Sequence, residues 1–332
     1  MRFPPSLNLA LAAYLGKKRL QRQEKFPLVL MLEPTHLCNL NCTGCGRIQE
    51  YRDTLGHMLT LEECLEAAEE CGAPVVTLTG GEPLVYPPIF ELVQELLQKP
   101  KHIYLCTNGL LLEKALTRLR PSPRLTLSLH LDGLAPTHDR IIGRPGGFQQ
   151  VIKAIKKAKA RGFQVITNTS IYRETDIREI EILFAYLTQL NINGLLVSPA
   201  FSFEMLETDF FLSREEIHEK FRQLTQNGNS FKFYSSPLYL KFLRGERSYD
   251  CTPWANPTCT PQGWRSPCYQ ISDGHFPTFN DLMAKTDWQR YGVDRDPRCR
   301  QCMMHSGFEP TIVRTLGKDI RDLWEMLRWN LS

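Results

Sequence analysis

Short apolar runs recur along the chain, and a stretch of helix length separates most of them. The runs are Pro27–Glu33, Val75–Thr79, Ile103–Thr107, Leu125–Leu131, Gln164–Ser170 and Gly194–Ser198. Between them, residues near Leu61–Cys71, Ile89–Gln98, Leu111–Leu119, Gly147–Arg161 and Asp176–Gln189 space their apolar side chains at a helical period. Strands alternating with helices of this length imply a parallel sheet with right-handed crossovers. The pattern predicts an α/β fold, a partial (β/α)6 TIM-like barrel, in which chemistry gathers on loops at the C-terminal strand ends.

Three regions follow from this pattern. Residues 1–25 hold an amphipathic helix over roughly 6–23, with Leu7, Leu11, Tyr14 and Leu15 on one face. Residues 26–235 form the barrel. Residues 236–332 are dense in Pro, Gly, Trp and Cys, read as loop-rich, and end in a helix over Leu316–Leu331. The net charge of +4 is too small to argue for nucleic acid. No apolar run is long enough to span a bilayer, and the start reads poorly as a signal peptide. Eleven cysteines in a chain of 332 residues therefore point to metal or redox chemistry in a reducing cytoplasm rather than to a disulfide framework.

Cys38, Cys42 and Cys45 follow the first strand directly, in the run Cys-Asn-Leu-Asn-Cys-Thr-Gly-Cys. Three thiolates on one tight loop can reach three irons of a cubane and leave the fourth iron open. S-adenosylmethionine (SAM) can chelate that iron through its amino and carboxylate groups. A zinc knuckle or buried free thiols are the plainer readings of the same residues.

With the triplet in this place, the chain resembles the radical SAM superfamily. Gly80-Gly81-Glu82-Pro83 follows the second strand and is similar to that family's GGE motif. The resemblance implies that the glycines let the backbone approach SAM and that Glu82 binds its amino group. It also implies SAM contacts for Asn108 after strand three, Ser128 on strand four and Asn168 on strand five. Longer stretches are similar to the hopanoid-biosynthesis radical SAM proteins, the HpnH family. They include Phe26–Pro34, Glu70–Val76, Tyr104–Asn108, His130–Leu134 and Cys251–Trp254, and Trp264, Pro267–Tyr269 and Thr286–Trp288 extend the match. That resemblance implies an adenosyl-hopene transferase. The 5′-deoxyadenosyl radical would add to the isopropenyl alkene of diploptene and give adenosylhopane. SAM would be a co-substrate, and flavodoxin or ferredoxin would serve as electron donor. It implies a long apolar pocket, and Cys106 as the thiol that gives a hydrogen atom to the product radical. The plainer reading of Cys106 is a small buried hydrophobe.

Several residues stay open at this stage. Cys251, Cys268, Cys299 and Cys302 could ligate an auxiliary iron–sulfur cluster, bind zinc, or be free thiols. Cys64 and Cys71 read as core packing, His130 as a polar core residue, and Asp132-Gly133 as a turn. Lys17, Lys18, Arg19, Arg22 and Lys25 follow the apolar part of the N-terminal helix. That helix can lie on an anionic membrane surface at the inner face of the cytoplasmic membrane, or pack across the open barrel bottom. Two other functions fit the motifs less closely. One is hydrogen abstraction from a peptide or small molecule, with the C-terminal region as a cluster domain. The other is a non-enzymatic iron–sulfur scaffold, which would have no use for a GGE motif.

Overall fold

The computed structural model describes residues 2–201, 210–226, 231–317 and 319–331. Six strands run parallel: β1 (Val29–Leu32), β2 (Val75–Leu78), β3 (His102–Thr107), β4 (Leu125–His130), β5 (Gln164–Ile171) and β6 (Gly194–Pro199). Each pairs with its sequence neighbour, so sheet order follows chain order. This is the expected radical SAM α/β architecture with a parallel sheet.

Period-two alternation divides each strand between two environments. Leu30, Leu32, Val76, Leu78, Leu105 and Leu127 have no exposed surface and belong to the main apolar core. The alternate residues Met31, Thr77, Tyr104, Cys106, Ser128 and Asn168 line an internal cavity. Helices cover the first face through narrow apolar stripes. Ile89–Gln98 buries Ile89, Leu92, Val93 and Leu96, the i, i+3, i+4, i+7 spacing. Leu61–Cys71 opens on a Thr60/Glu63 capping box and stops at Gly72, whose φ of 66° suits glycine. Cys64 and Cys71 sit on its buried side, as core packing requires.

Elsewhere the structure departs from the sequence expectation. Leu111–Leu119 keeps one helical turn, Leu112–Ala115, and then tightens into i→i+3 bonds ahead of Pro121, which disfavours helix at the residue before it. Ala135–Ile142 is a helix just after the Asp132-Gly133 turn, with Pro136 in its first turn and Gly143 at its end. Arg214–Gln226 and Pro237–Leu243 are further helices. Strand structure does not stop near residue 235. β7 (Thr258–Thr260) pairs parallel with β1, and β8 (Gly263–Pro267) and β9 (Ser272–Phe276) continue antiparallel, giving a nine-stranded sheet. β7 is three residues long and buried on both faces, so it shows no alternation. The C-terminal helix is Ile320–Leu331. A separate helix, His305–Thr315, precedes it and ends at a break that includes Gly317 at φ 90°.

The N-terminal helix, Pro5–Leu20, closes the end of the barrel where the strands begin. Its Leu7 and Leu11 face the same cavity as Val29 and Val75, the first residues of β1 and β2.

Candidate active site

The loop after β1 is held by a buried charge network. Glu33, fully buried, pairs with Arg47 at 3.1 Å and with His36 at 3.0 Å. Arg47 also reaches Glu50 at 3.1 Å and donates to the Tyr269 carbonyl at 2.7 Å. His36 stacks on Tyr51 with ring centroids 3.8 Å apart. The cysteine triplet therefore lies on a loop fixed at both ends, Glu33 before it and Arg47 after it. Burial and the neighbouring positive charges oppose each other on Glu33, and the charges hold its carboxyl below the usual range. Nothing in the chain's local pattern marks these two residues as partners.

Cys38, Cys42 and Cys45 all face the cavity. Burial, with repulsion from the neighbouring cysteines, raises two of these thiols, Cys38 to about 11 and Cys42 to about 12. Iron binding must displace those protons.

The loop after β2 packs directly on the cysteine loop. A Cβ on Gly81 would lie 2.1 Å from the Leu37 carbonyl oxygen, and one on Gly80 would lie 2.3 Å from that of Thr35. Gly81 N–H donates to Thr35 at 3.0 Å and Glu82 N–H to Leu37 at 2.8 Å. The glycines thus bring this loop against residues 35–37, a close approach other than the expected one to SAM. Glu82 is buried and accepts from Thr107 Oγ1 at 2.8 Å, Asn108 N–H at 2.7 Å and Leu84 N–H at 3.0 Å. Burial raises its carboxyl to about 7, against these hydrogen bonds. Asn108 Nδ2 donates to Asn39 Oδ1 at 2.7 Å, joining the β3 loop to the cysteine loop.

The strand register sets the remaining residues in rungs. Cys106 pairs with Ser128, and Ser128 with Ile166. One rung nearer the cysteine loop stand His130, Asn168 and Leu196; one rung deeper stand Met31, Thr77 and Tyr104. The cavity, about 470 Å³, spans all of these rungs from Cys38 and Gly81 to Leu7 and Val29. Its lining changes along that path. Near the cysteine loop it presents Glu82, Asn108, His130 and Asn168; at the far end it presents Leu7, Leu11, Leu28, Val29, Val75 and Met326. Cys106 stands between the two. Burial pushes its thiol up to about 12, partly offset by a hydrogen bond with Ser128, so it is neutral at physiological pH.

Four features in or beside this cavity escaped sequence reasoning. Asp132 does more than turn the chain: it is buried, accepts from Ser170 N–H at 2.7 Å and contacts His130 Nε2 at 2.6 Å. His130 itself faces the cavity rather than the core. Tyr104, one alternation below Cys106, meets Tyr234 through their hydroxyls at 2.6 Å. Glu309 also faces the cavity, and burial raises its carboxyl to about 7. Position parity on β3 would have marked Tyr104 as inward together with Cys106.

The four C-terminal cysteines come from separate segments: Cys251, Cys268 after β8, and the pair Cys299 and Cys302. Burial raises the Cys251 thiol, and Cys302, Cys268 and Cys299 raise it further by their proximity. Ile271 N–H donates to Cys268 Sγ at 3.5 Å. A Cβ on Gly307 would lie 3.1 Å from Cys251 Sγ, so the helix starting at His305 packs tightly on that thiol. Among the described residues, no three Cys, His, Asp or Glu side chains are grouped so as to hold a single metal ion, and this covers both cysteine sets.

A 4Fe–4S cluster and SAM fit the barrel end of the cavity. Three thiols on one loop open onto it, and Asn168 Oδ1 is buried there without a hydrogen-bond partner. The profile of the radical SAM superfamily matches residues 32–187, and that of a domain of unknown function (DUF3463) matches residues 195–326. The AdoMet-dependent heme synthase of Methanosarcina barkeri is 30% identical over 49% of this chain and 48% of its own length, so the chain spans about half of that relative. The GTP 3′,8-cyclase of Alkaliphilus metalliredigens is 28% identical over 70% of this chain and 78% of its own. Among solved structures, Streptococcus suis SuiB bound to precursor peptide SuiA superposes with a TM-score of 0.62 at 18% identity, covering 75% of this chain and 61% of that one. The structure of anSMEcpe with bound AdoMet and a peptide gives a TM-score of 0.59 at 17% identity, covering 92% of this chain and 100% of that one. At these identities the two structures bear on the fold alone. The profile match over β1 to β5, the curated relatives and the cysteine loop at the head of the cavity place residues 32–187 in the radical SAM superfamily, which uses a 4Fe–4S cluster and SAM.

Proposed function

We propose that this enzyme transfers the 5′-deoxyadenosyl group of SAM to the terminal isopropenyl carbon of a large apolar hydrocarbon, as the HpnH resemblance implies for diploptene. The observation that carries the reading is the change in cavity lining, polar at the cysteine loop and apolar toward the terminal helices, with a neutral thiol between. A bulky hydrocarbon offers no polar handles, so its affinity must come from buried area, at roughly 25 cal/mol per Å². A small polar substrate would gain nothing from Leu7, Leu11, Val29 and Val75.

In this reading Cys38, Cys42 and Cys45 hold the cluster. Bound there and reduced, it supplies the electron that cleaves SAM to methionine and the adenosyl radical. Glu82 binds the SAM amino group, and Asn108, Ser128 and Asn168 orient the rest of the co-substrate. The apolar half of the cavity holds the alkene against the 5′ carbon and keeps other hydrogen donors away. Addition forms one C–C bond and leaves a tertiary carbon radical. Cys106 gives that carbon its thiol hydrogen, because the S–H bond is weaker than the C–H bond formed. One electron and one proton, from an external low-potential donor such as flavodoxin or ferredoxin, then restore the thiol.

We further infer that Cys251, Cys268, Cys299 and Cys302 hold an auxiliary iron–sulfur cluster. Their convergence from separate segments and the N–H donor on Cys268 support it. Iron and sulfide left after the triplet is changed to Ala, and lost on changing Cys299 and Cys302, is the expected result. No residual metal would refute it.

Anaerobic incubation of the reduced enzyme with SAM and diploptene, followed by mass spectrometry, tests the main reading. Saturated adenosylhopane is expected. Free 5′-deoxyadenosine alone, rising on addition of a peptide, would favour hydrogen abstraction instead.

A further inference from the structure

The C-terminal helix presents its apolar stripe outward. Ile320, Leu323, Trp324, Leu327 and Leu331 are 69%, 37%, 67%, 47% and 70% exposed. Their spacing of 0, 3, 4, 7 and 11 puts them on one face. The other side of this helix carries charge toward the protein: Asp322 pairs with Arg247 at 2.7 Å, and Glu325 with Lys241 at 2.6 Å. A helix on a water-facing surface has the reverse arrangement.

The N-terminal helix repeats the pattern. Leu9 and Leu20 are 71% and 88% exposed, and Ala12, Ala13 and Gly16 lie exposed between them at the same spacing. Its opposite face carries Leu7 and Leu11 into the cavity. The two helices lie side by side. Arg2 N–H donates to the Asn330 carbonyl at 3.1 Å, Phe3 N–H to Asn330 Oδ1 at 2.7 Å, and Arg19 donates to the Leu316 carbonyl. Their outward apolar residues therefore belong to one surface region. Exposed Lys17, Arg19, Arg22, Arg321 and Arg328 belong to the same two helices and the turn between Leu20 and β1, against exposed Glu24 and the Asp319 that pairs with Arg321.

We propose that this surface docks on an anionic lipid bilayer and that the apolar substrate enters the cavity between the two terminal helices. Two arguments favour lipid as the occupant. An apolar stripe with a basic fringe matches an anionic headgroup layer over acyl chains. The same two helices supply Leu7, Leu11 and Met326 to the apolar end of the cavity, and Phe3 just before the first adds to them, so the docking surface is the outer side of that wall. Entry there leaves the opposite end, at the cysteine loop, to SAM. The entry route rests on the hydrocarbon-substrate reading; the docking surface does not.

The test uses the holoenzyme and vesicles of phosphatidylcholine with and without phosphatidylglycerol. Co-sedimentation is expected with the anionic vesicles, weakening as salt is raised. Trp324→Ser combined with Leu327→Ser should lower vesicle binding at least tenfold, with unchanged circular dichroism and unchanged substrate-free SAM cleavage. That variant should lose turnover of diploptene embedded in vesicles but keep turnover of diploptene in detergent. Equal vesicle binding by wild type and variant, or none by either, would overturn the docking surface. So would a dimer that the double substitution dissolves without any vesicle binding. If vesicles bind as expected but no adenosylated product forms from any preparation, the substrate reading fails and the docking surface stands.

Discussion

Cys106 shows how surroundings suit a single position to its proposed role. The strand carries it inward, the register sets it beside Ser128, and burial keeps its thiol protonated. Cys106→Ala should leave iron content and SAM cleavage near wild type while the saturated product falls at least tenfold; product quantitation against methionine released checks this. Glu82 gives a second expectation. In the proposed reading its carboxyl, raised to about 7 by burial, accepts from the iron-bound SAM amino group only when ionised. The ionised form dominates above that pH and is lost below it. SAM affinity should therefore weaken as pH falls from 8 to 6, and Glu82→Gln should flatten the dependence. Calorimetric titration across that range is the measurement, and an affinity that rises toward acid would contradict the assignment. The sequence motif marked Glu82 without its environment, because the carboxylate's partners Thr107 and Asn108 come from the next strand.

At the scale of elements, the loop after β1 depends on a pair that sequence reading missed. Glu33 and Arg47 lie fourteen positions apart on opposite sides of the cysteine triplet, and only the folded loop brings them to 3.1 Å. Arg47→Leu would leave buried Glu33 without its guanidinium and with His36 alone at ion-pair distance, at a cost of about 3–5 kcal/mol. A lower Tm and poor retention of iron are expected, and a variant with both unchanged would show that the pair does not hold the loop. Gly81→Ala should do comparable damage, since its Cβ would meet a backbone oxygen at 2.1 Å that has no flexible side chain to yield. The six barrel strands were legible because each shows one fully buried face and one cavity face. β7 was not, being three residues buried on both sides. β8 hides its place further by burying Arg265, whose guanidinium is held by Glu50 and the Tyr51 hydroxyl.

Over the whole molecule, one cavity joins a polar end built by loops to an apolar end built by the terminal helices. The barrel could be read from periodicity, and so could the place of the cysteine loop after β1. The outward stripe on the C-terminal helix could not, because an amphipathic pattern does not say which face meets the protein. No helix among the described residues is long and apolar enough to cross a membrane. The fate of the adenosyl group tests the proposed chemistry most directly. SAM labelled with ¹³C in its ribose, incubated anaerobically with reduced enzyme and diploptene, should deliver most of the label into a saturated hydrocarbon adduct, with one molecule of methionine released per adduct. Label recovered wholly as 5′-deoxyadenosine, with diploptene unchanged, would contradict adenosyl transfer to that alkene.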